Sequence, residues 1–402
     1  MKDFFKTRFD LSKDENIICL SAVCVFLPYY IAAVLLAVIV GYILIKKNIK
    51  TEIFCHSGSL LIPIFCSLTF VVATCNKNYF GMLVSVIVLL IFILGFYMRT
   101  TMTGELFEKA LSVCCHASVA ASGLIIFEKI LHIIVFNDPE HRCFGDLFGN
   151  KFLSFYFNPN YLASMMAAVV IICAYKVITK KGNKAYYYSA AALAMITIYF
   201  GGSMFTWAEV FFALAVYLFV GNHRKPLGVL FAVCAAAGLA IYLIPDIMPR
   251  LAVASMTWNS RLMIWELSLA SIPDSFIFGR GFYSYRLISY APEFVNLPEV
   301  YPAYHAHNLV IEFLLSFGIV GTIIFLAFIF VIFQKVFISR QLLKKSQISI
   351  LIIAVTAGVL MHSILDMTML WIQPMILYCV IFGGIGANEK VISGMFQNIK
   401  KT

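Results

Sequence analysis

Charge is what this chain has least of. Only 12% of its 402 residues are Asp, Glu, Lys or Arg, against 62% hydrophobic, and the mean hydropathy is +0.91. A water-soluble domain of this size needs far more polar surface, so a soluble globular fold is excluded. No apolar run has the short h-region and small-residue cleavage site of a removable signal peptide. There is no Gly-rich phosphate loop, no Asp-x-Asp motif and no internal repeat. The 11 cysteines do not read as a disulfide scaffold. Most, such as Cys19, Cys66, Cys114, Cys115, Cys173 and Cys234, lie inside apolar runs, where a free Cys behaves as a small hydrophobe. Cys143 sits in a polar loop with no obvious partner there, so no structural disulfide is expected. The net charge of +10 is spread over short connections rather than gathered into a basic stripe with interleaved aromatics. That excludes nucleic acid as a partner.

What the chain does have is apolar runs of 17 residues or more, recurring along its length. Each can cross roughly 30 Å of hydrocarbon as a helix. The expected fold class is an all-α polytopic membrane protein with about 12 transmembrane helices (10–12), a single integral membrane domain over 1–402. The first run, 16–45, is flanked by lysines on both sides and interrupted by Pro28, which favours a hairpin of two short spans. Further spans fall near 57–75, 79–98, 104–127, 161–178, 186–202, 203–220, 227–246, 347–365 and 370–387, with one more before the last two that follows His307-Asn308 and continues to about Phe333. Lysines in the short connections mark the cytoplasmic face, with both termini inside. Two large loops, 128–160 and 245–306, then land together on the non-cytoplasmic face.

The second loop is unusual in its cations. Between Pro245 and His307 it holds Arg250, Arg261, Arg280 and Arg286 and no lysine, whereas the cytoplasmic connections use mainly lysine. Arginine's planar fork is the better clamp for phosphate oxygens. Within this loop 260–271 reads as an amphipathic helix lying at the membrane interface, with Leu262, Trp265, Leu269 and Ile272 as its apolar face and Arg261 toward the headgroups. Arg261 on this reading either snorkels to lipid phosphate or serves a site. The first loop ends in Asn158-Pro159-Asn160, a capping arrangement that brings two amides to the same face.

The run Tyr301 to Gly321, YPAYHAHNLVIEFLLSFGIVG, places His305, His307 and Asn308 where an apolar helix begins. Two histidines without a third His or a Cys nearby, and with Glu293 and Glu299 off ligand spacing, argue against a metal. A general base fits better, since a histidine ordinarily titrates near pH 6.5 and can take a proton from a sugar hydroxyl. Glu312, inside the apolar run, must pair or line a polar cavity. His362 and Asp366 are four apart, which allows either a mutual hydrogen bond or a place in a site.

Together, NPNYLA, SRLMIWELSL, FGRGF, HNLVIEFLLSFGIVG and HSILD resemble, in order and spacing, the bacterial O-antigen ligase and O-antigen polymerase family over roughly residues 140–387. The resemblance implies a 12-span bundle in the bacterial cytoplasmic membrane, with its large loops and active site facing the periplasm or cell exterior. It implies transfer of a glycan from undecaprenyl diphosphate to a glycan or lipid-glycan acceptor hydroxyl, by an inverting mechanism without metal or other cofactor. A chain-length regulator or flippase would be a further partner. Carried over by position, His307 becomes the catalytic base and Arg261 the clamp on the donor diphosphate. Arg142, Arg280, Arg286, Asn158, Asn160, Asn308 and Glu312 become candidate substrate-binding residues. One departure stands out: where many members have Ser-Arg, this chain has Ser203-Met204, so a diphosphate contact is missing there or supplied by Arg142, Arg280 or Arg286. A polytopic transporter or flippase for amphiphilic anions is the alternative from another class, and a non-catalytic assembly subunit a third.

Overall fold

The computed structural model describes residues 10–47, 56–146, 155–248, 254–291, 303–344 and 346–399. Arg250, Glu293 and Glu299 lie outside them. The chain builds α1 (Asp14–Cys24), α2 (Tyr29–Lys46), α3 (Leu61–Cys75), α4 (Tyr79–Thr101) and α5 (Gly104–Ile134). It continues with α6 (Pro159–Ile178), α7 (Lys184–Gly201), α8 (Met204–Val220), α9 (Arg224–Leu243) and α10 (Ala254–Ser271). Last come α11 (Tyr285–Ser289), α12 (Leu309–Leu342), α13 (Gln347–His362), α14 (Ile372–Phe382) and α15 (Gly384–Ile399).

Among the described residues seven helical stretches are long and apolar enough to cross a membrane, by length and composition. Three shorter apolar helices, α3, α8 and α13, fall below that length. The protein is therefore an all-helical, multi-pass membrane protein, and this measure does not reach the expected count of 12 spans. At the N-terminal side Pro28 breaks the apolar run, and Lys47 pairs with Asp14, so α1 and α2 fold back on one another as a hairpin. At 11 residues, or about 16 Å, α1 is too short to cross alone.

The bundle is centred on α6. Asn158 caps it by accepting from the Asn160 amide, and Pro159 enters its first turn, where a missing N–H costs nothing. Every side chain from Tyr161 to Cys173 is buried, against α5, α7, α8, α13 and α14. At the opposite extreme α9 buries no side chain although it is apolar all round, which suits a helix facing lipid. The pair α8 and α13 packs closely at Gly358, where a Cβ would come within 2.8 Å of the Ala213 Cβ.

α12 is broken rather than straight. Gly318 takes a left-handed φ of +58°, and a Cβ there would lie 2.5 Å from the Ile277 carbonyl. The segment Phe276–Gly281 fills the gap: Ile319 and Val320 N–H donate to the Phe276 and Ile277 carbonyls at 2.8 and 3.1 Å. In return the Arg280 and Gly281 amides donate to the Leu315 and Ser316 carbonyls. A helix can be interrupted in this setting because neighbouring backbone meets its freed groups. The break sets the direction of the first half of α12, which begins just after His307.

The α10 helix carries Arg261 on its inward side. Its buried side is Arg261, Ile264 and Ser268, while Leu262 and Leu269 are exposed. Ile272 is buried on the same side, so Arg261 and Ser268 turn inward together with part of the apolar face. In a membrane protein the surroundings are themselves apolar, so a polar face turns inward wherever it has a partner there.

Candidate functional site

The polar centre of one end of the bundle is Asp366, just past the end of α13 and 1% exposed. Asn308 places it by capping α12, accepting from the Val310 and Ile311 amides, while its own Nδ2 donates to the Ile364 carbonyl. The Leu309 amide donates to Ser363, which ties the two helix ends together. Three N–H groups then converge on Asp366 Oδ1: His305 Nε2 at 3.1 Å, His307 Nδ1 at 2.9 Å and the Met367 amide at 2.8 Å. On Oδ2, Asn160 Nδ2 donates at 2.5 Å and the Arg261 guanidinium lies 3.6 Å away.

Burial by itself would push the Asp366 carboxyl up. The Arg261 guanidinium and the hydrogen bond from His305 outweigh it and hold Asp366 well below the usual carboxylate range. An ionised carboxylate only accepts, so the histidine nitrogens that face it carry their protons. His307 then holds its proton on Nδ1 and keeps Nε2 as a lone-pair base. It is also the more accessible ring, with 14% of its side chain exposed against 3% for His305. His307 sits at φ +52°, a backbone region costly for any residue with a Cβ.

A depressed carboxyl pKa stabilises the fold above the unfolded value of about 3.9 and loses that contribution as pH falls through the folded value. Melting temperature should therefore hold between about pH 5 and 8, as far as Asp366 is concerned, and drop below about pH 4. Thermal melts of the purified protein across pH check this. In Asp366→Asn the acid drop should be smaller.

Around Asp366 lies a ring of supporting residues. Arg142 donates from Nη2 to Asn160 Oδ1 at 3.1 Å and from Nε to the Gly201 carbonyl at 3.0 Å. It is thus the arginine that reaches the stretch where Ser203-Met204 departs from Ser-Arg. Glu312 accepts from the Ala306 amide at 2.7 Å and from Ser316 Oγ at 2.6 Å, which fixes the backbone between the two histidines. Arg280 stays with the break in α12, donating to Ser275 Oγ and lying 3.5 Å from Asp274. Arg286 is sandwiched between the rings of Phe80 and Tyr304 at 5.3 and 5.2 Å. Asn158 spends its side-chain oxygen on the α6 cap. So His307, Arg261 and Asn160 meet on one carboxylate, Arg142, Asn308 and Glu312 position them, and Arg280, Arg286 and Asn158 have other partners.

Several groups here were not assigned from the sequence. His305 gains a role as a second donor to Asp366. His362, whose spacing from Asp366 left open a mutual hydrogen bond or a place in a site, lies 2.8 Å from Glu209 Oε2, with Ser164 donating to Glu209 Oε1 at 3.0 Å. Both Glu209 and His362 are buried inside the bundle. Trp371 stacks on Tyr161 and Phe157 at 4.7 and 5.1 Å and, through Tyr283, joins the ring of His305.

Ligand atoms of His305, His307 and Asp366 lie within 4.8 Å of one another, so folding supplies the third metal ligand that the sequence did not show. The same atoms are engaged in hydrogen bonds, and the Arg261 cation beside Asp366 opposes a second positive charge. The arrangement is better suited to an Asp–His dyad, in which a carboxylate orients an imidazole and stabilises its protonated form.

Residues 162–326, from α6 into α12, match the family model described as O-antigen ligase. Arg261, His305 and His307 fall inside the match, and Asp366 beyond it. No curated protein matches the chain. Members of that family are glycosyltransferase-like enzymes that act on lipid-linked oligosaccharide, of the O-antigen ligase or polymerase type.

Proposed function

We propose, with the O-antigen ligase match over 162–326 as premise, that this protein is an inverting, metal-independent glycosyltransferase of the bacterial cytoplasmic membrane. It would extend a surface polysaccharide from undecaprenyl-diphosphate-linked oligosaccharide on the outer face, acting as a polymerase rather than a ligase. The observation that carries this reading is the Asp366–His307 dyad beside Arg261. His307 Nε2 takes the proton of the acceptor hydroxyl as its oxygen attacks the anomeric carbon. The bond from that carbon to the donor phosphate breaks in the same displacement, which inverts the centre and releases undecaprenyl diphosphate. Asp366 steadies the imidazolium formed. Arg261, 8% exposed, offers a guanidinium in a poorly solvated place where charge on the departing diphosphate is best stabilised.

Two features support the donor and acceptor classes. An apolar cavity of about 650 Å³ runs from Leu309, Val310 and Leu370, beside the histidines, to Arg99 near the other end of the bundle. It suits a stretch of polyprenyl chain whose diphosphate end lies at Arg261. The stacked rings of Phe157, Tyr161 and Trp371 offer flat apolar faces of the kind that sugar rings pack against.

The test is a gel profile of surface glycan from cells carrying His307→Ala or Arg261→Ala at normal membrane levels. The expected outcome is loss of long chains in both, with single repeat units remaining. Long glycan left on undecaprenyl diphosphate would instead identify a ligase. Unchanged long-chain glycan in both variants would sink the reading and return the transporter alternative.

A further inference from the structure

A second polar cluster, sharing no residue with the Asp366 site, lies where α5 ends and the following loop turns back over it. Glu128, 0% exposed, accepts from the Gly145, Phe144 and Asp146 amides at 2.7, 3.3 and 3.3 Å and from His141 Nε2 at 3.1 Å. His132 lies beside it, 8% exposed, and among the described residues neither of its ring nitrogens has a hydrogen-bond partner. Its ring stacks on that of His141, with centroids 3.5 Å apart and planes 4° from parallel. Asp138 Oδ2 lies 3.9 Å from His132 Nδ1 and 3.8 Å from His141 Nδ1. Asp146, 5% exposed, has a buried Oδ1 that also lacks a hydrogen-bond partner among the described residues.

A buried imidazole with both nitrogens unsatisfied is costly, and native interiors rarely tolerate it without a water or an ion. Three carboxylates gather here. The adjoining cation, Lys129, points its ammonium at the Pro139 and His141 carbonyls. The charge balance therefore favours a cation, and two imidazoles with carboxylates favour a borderline transition metal over calcium or magnesium. Ligand atoms of Glu128, His132 and His141 already lie within 4.8 Å of one another. Stacked rings set their nitrogens side by side. His132, with no hydrogen bond to break, is the ring able to tilt so that both lone pairs meet on one ion.

We propose that Glu128, His132 and His141, with Asp138 closing the set, form a divalent transition-metal site of the zinc class that pins the first loop to α5. Its consequence for the rest of the protein runs through the next residue. Arg142 follows His141 and holds Asn160, which donates to Asp366. A bound ion would fix the loop that carries Arg142 and so act as a positioning device, whatever reaction the Asp366 site performs.

The test uses full-length protein in detergent, stripped with a chelator, re-exposed to Zn²⁺ alone and passed through gel filtration before elemental analysis. The expected results are about one tightly held zinc per chain for the wild type, none for His132→Ala, and an unchanged one for His307→Ala, together with a zinc-dependent rise in wild-type melting temperature. No retained zinc and no thermal shift in the wild type would overturn the proposal. So would zinc retained by a folded His132→Ala, or zinc lost in His307→Ala alone, which would place the ion at the other histidine pair. If His132→Ala does not fold, His141→Gln takes its place with the same outcomes.

Discussion

Asp366→Asn is expected to lower the rate of glycan transfer by roughly 10³–10⁴-fold, the scale seen when a carboxylate that orients a catalytic histidine becomes an amide. The substitution keeps the shape and removes two things. An amide presents a donor as well as an acceptor, so it no longer requires both histidine nitrogens at Oδ1 to carry protons. His307 is then free to flip its tautomer and present an N–H, in place of a lone pair, to the acceptor hydroxyl. The negative charge that balances Arg261 and would steady a protonated His307 is lost as well. Because Arg261 is nearly buried, the variant should also lose stability, on the order of 3 kcal/mol from an uncompensated interior charge. Rates must therefore be compared per folded molecule, with gel filtration and a thermal melt alongside. Asp366→Glu, which restores charge at an altered distance, should fall between the wild type and Asp366→Asn.

The second large effect separates catalysis from folding. His307 occupies a left-handed conformation at φ +52°, which a residue with a Cβ adopts at a cost of about 1–2 kcal/mol and which glycine adopts freely. His307→Gly relieves that strain but gives up the hydrogen bond to Asp366, so it should melt near the wild-type temperature, while transfer falls by roughly 10²–10⁴-fold for want of a general base. A residue kept in a strained conformation where glycine would serve the fold better is retained for its side chain. Were His307 only a structural donor to Asp366, folded His307→Gly would keep its activity.

Much of this was legible in the sequence, because lipid leaves a strong signature. The starts of α6, α7, α8 and α13 fall within about three residues of the apolar runs, since the runs are long and Asn158, Asn183 and Ser346 mark their beginnings. The α5 helix ran past expectation, to Ile134, because Glu128 and His132 looked like loop residues and are instead paid out along a helix that continues beneath the loop. The inward face of α10 was not legible either. The sequence left Arg261 between lipid phosphate and a site, and only the packing of α10 turns it inward.

For the site, the ordered motifs pointed to His307, Arg261 and Asn160, but not to what joins them. The spacing of His362 and Asp366 allowed either a mutual hydrogen bond or a place in a site. The α13 helix ends at His362, so the two side chains diverge, His362 toward Glu209 and Asp366 toward two histidines 59 and 61 residues before it. A pairing across that span depends on how α12 and α13 meet, and no local spacing encodes it. The choice of Arg142 over Arg280 and Arg286 has the same origin, since only the folded loop brings its guanidinium to Gly201 and Asn160.

The central claim is that His307 is the base of a glycosyl transfer. It is tested most directly with purified protein in lipid vesicles, given undecaprenyl-diphosphate-linked repeat units and followed by the length of the glycan formed. Wild-type protein is expected to join units into long chains, while His307→Gly, equally well folded by its thermal melt, leaves them single. Chains made by His307→Gly at the wild-type rate would contradict it.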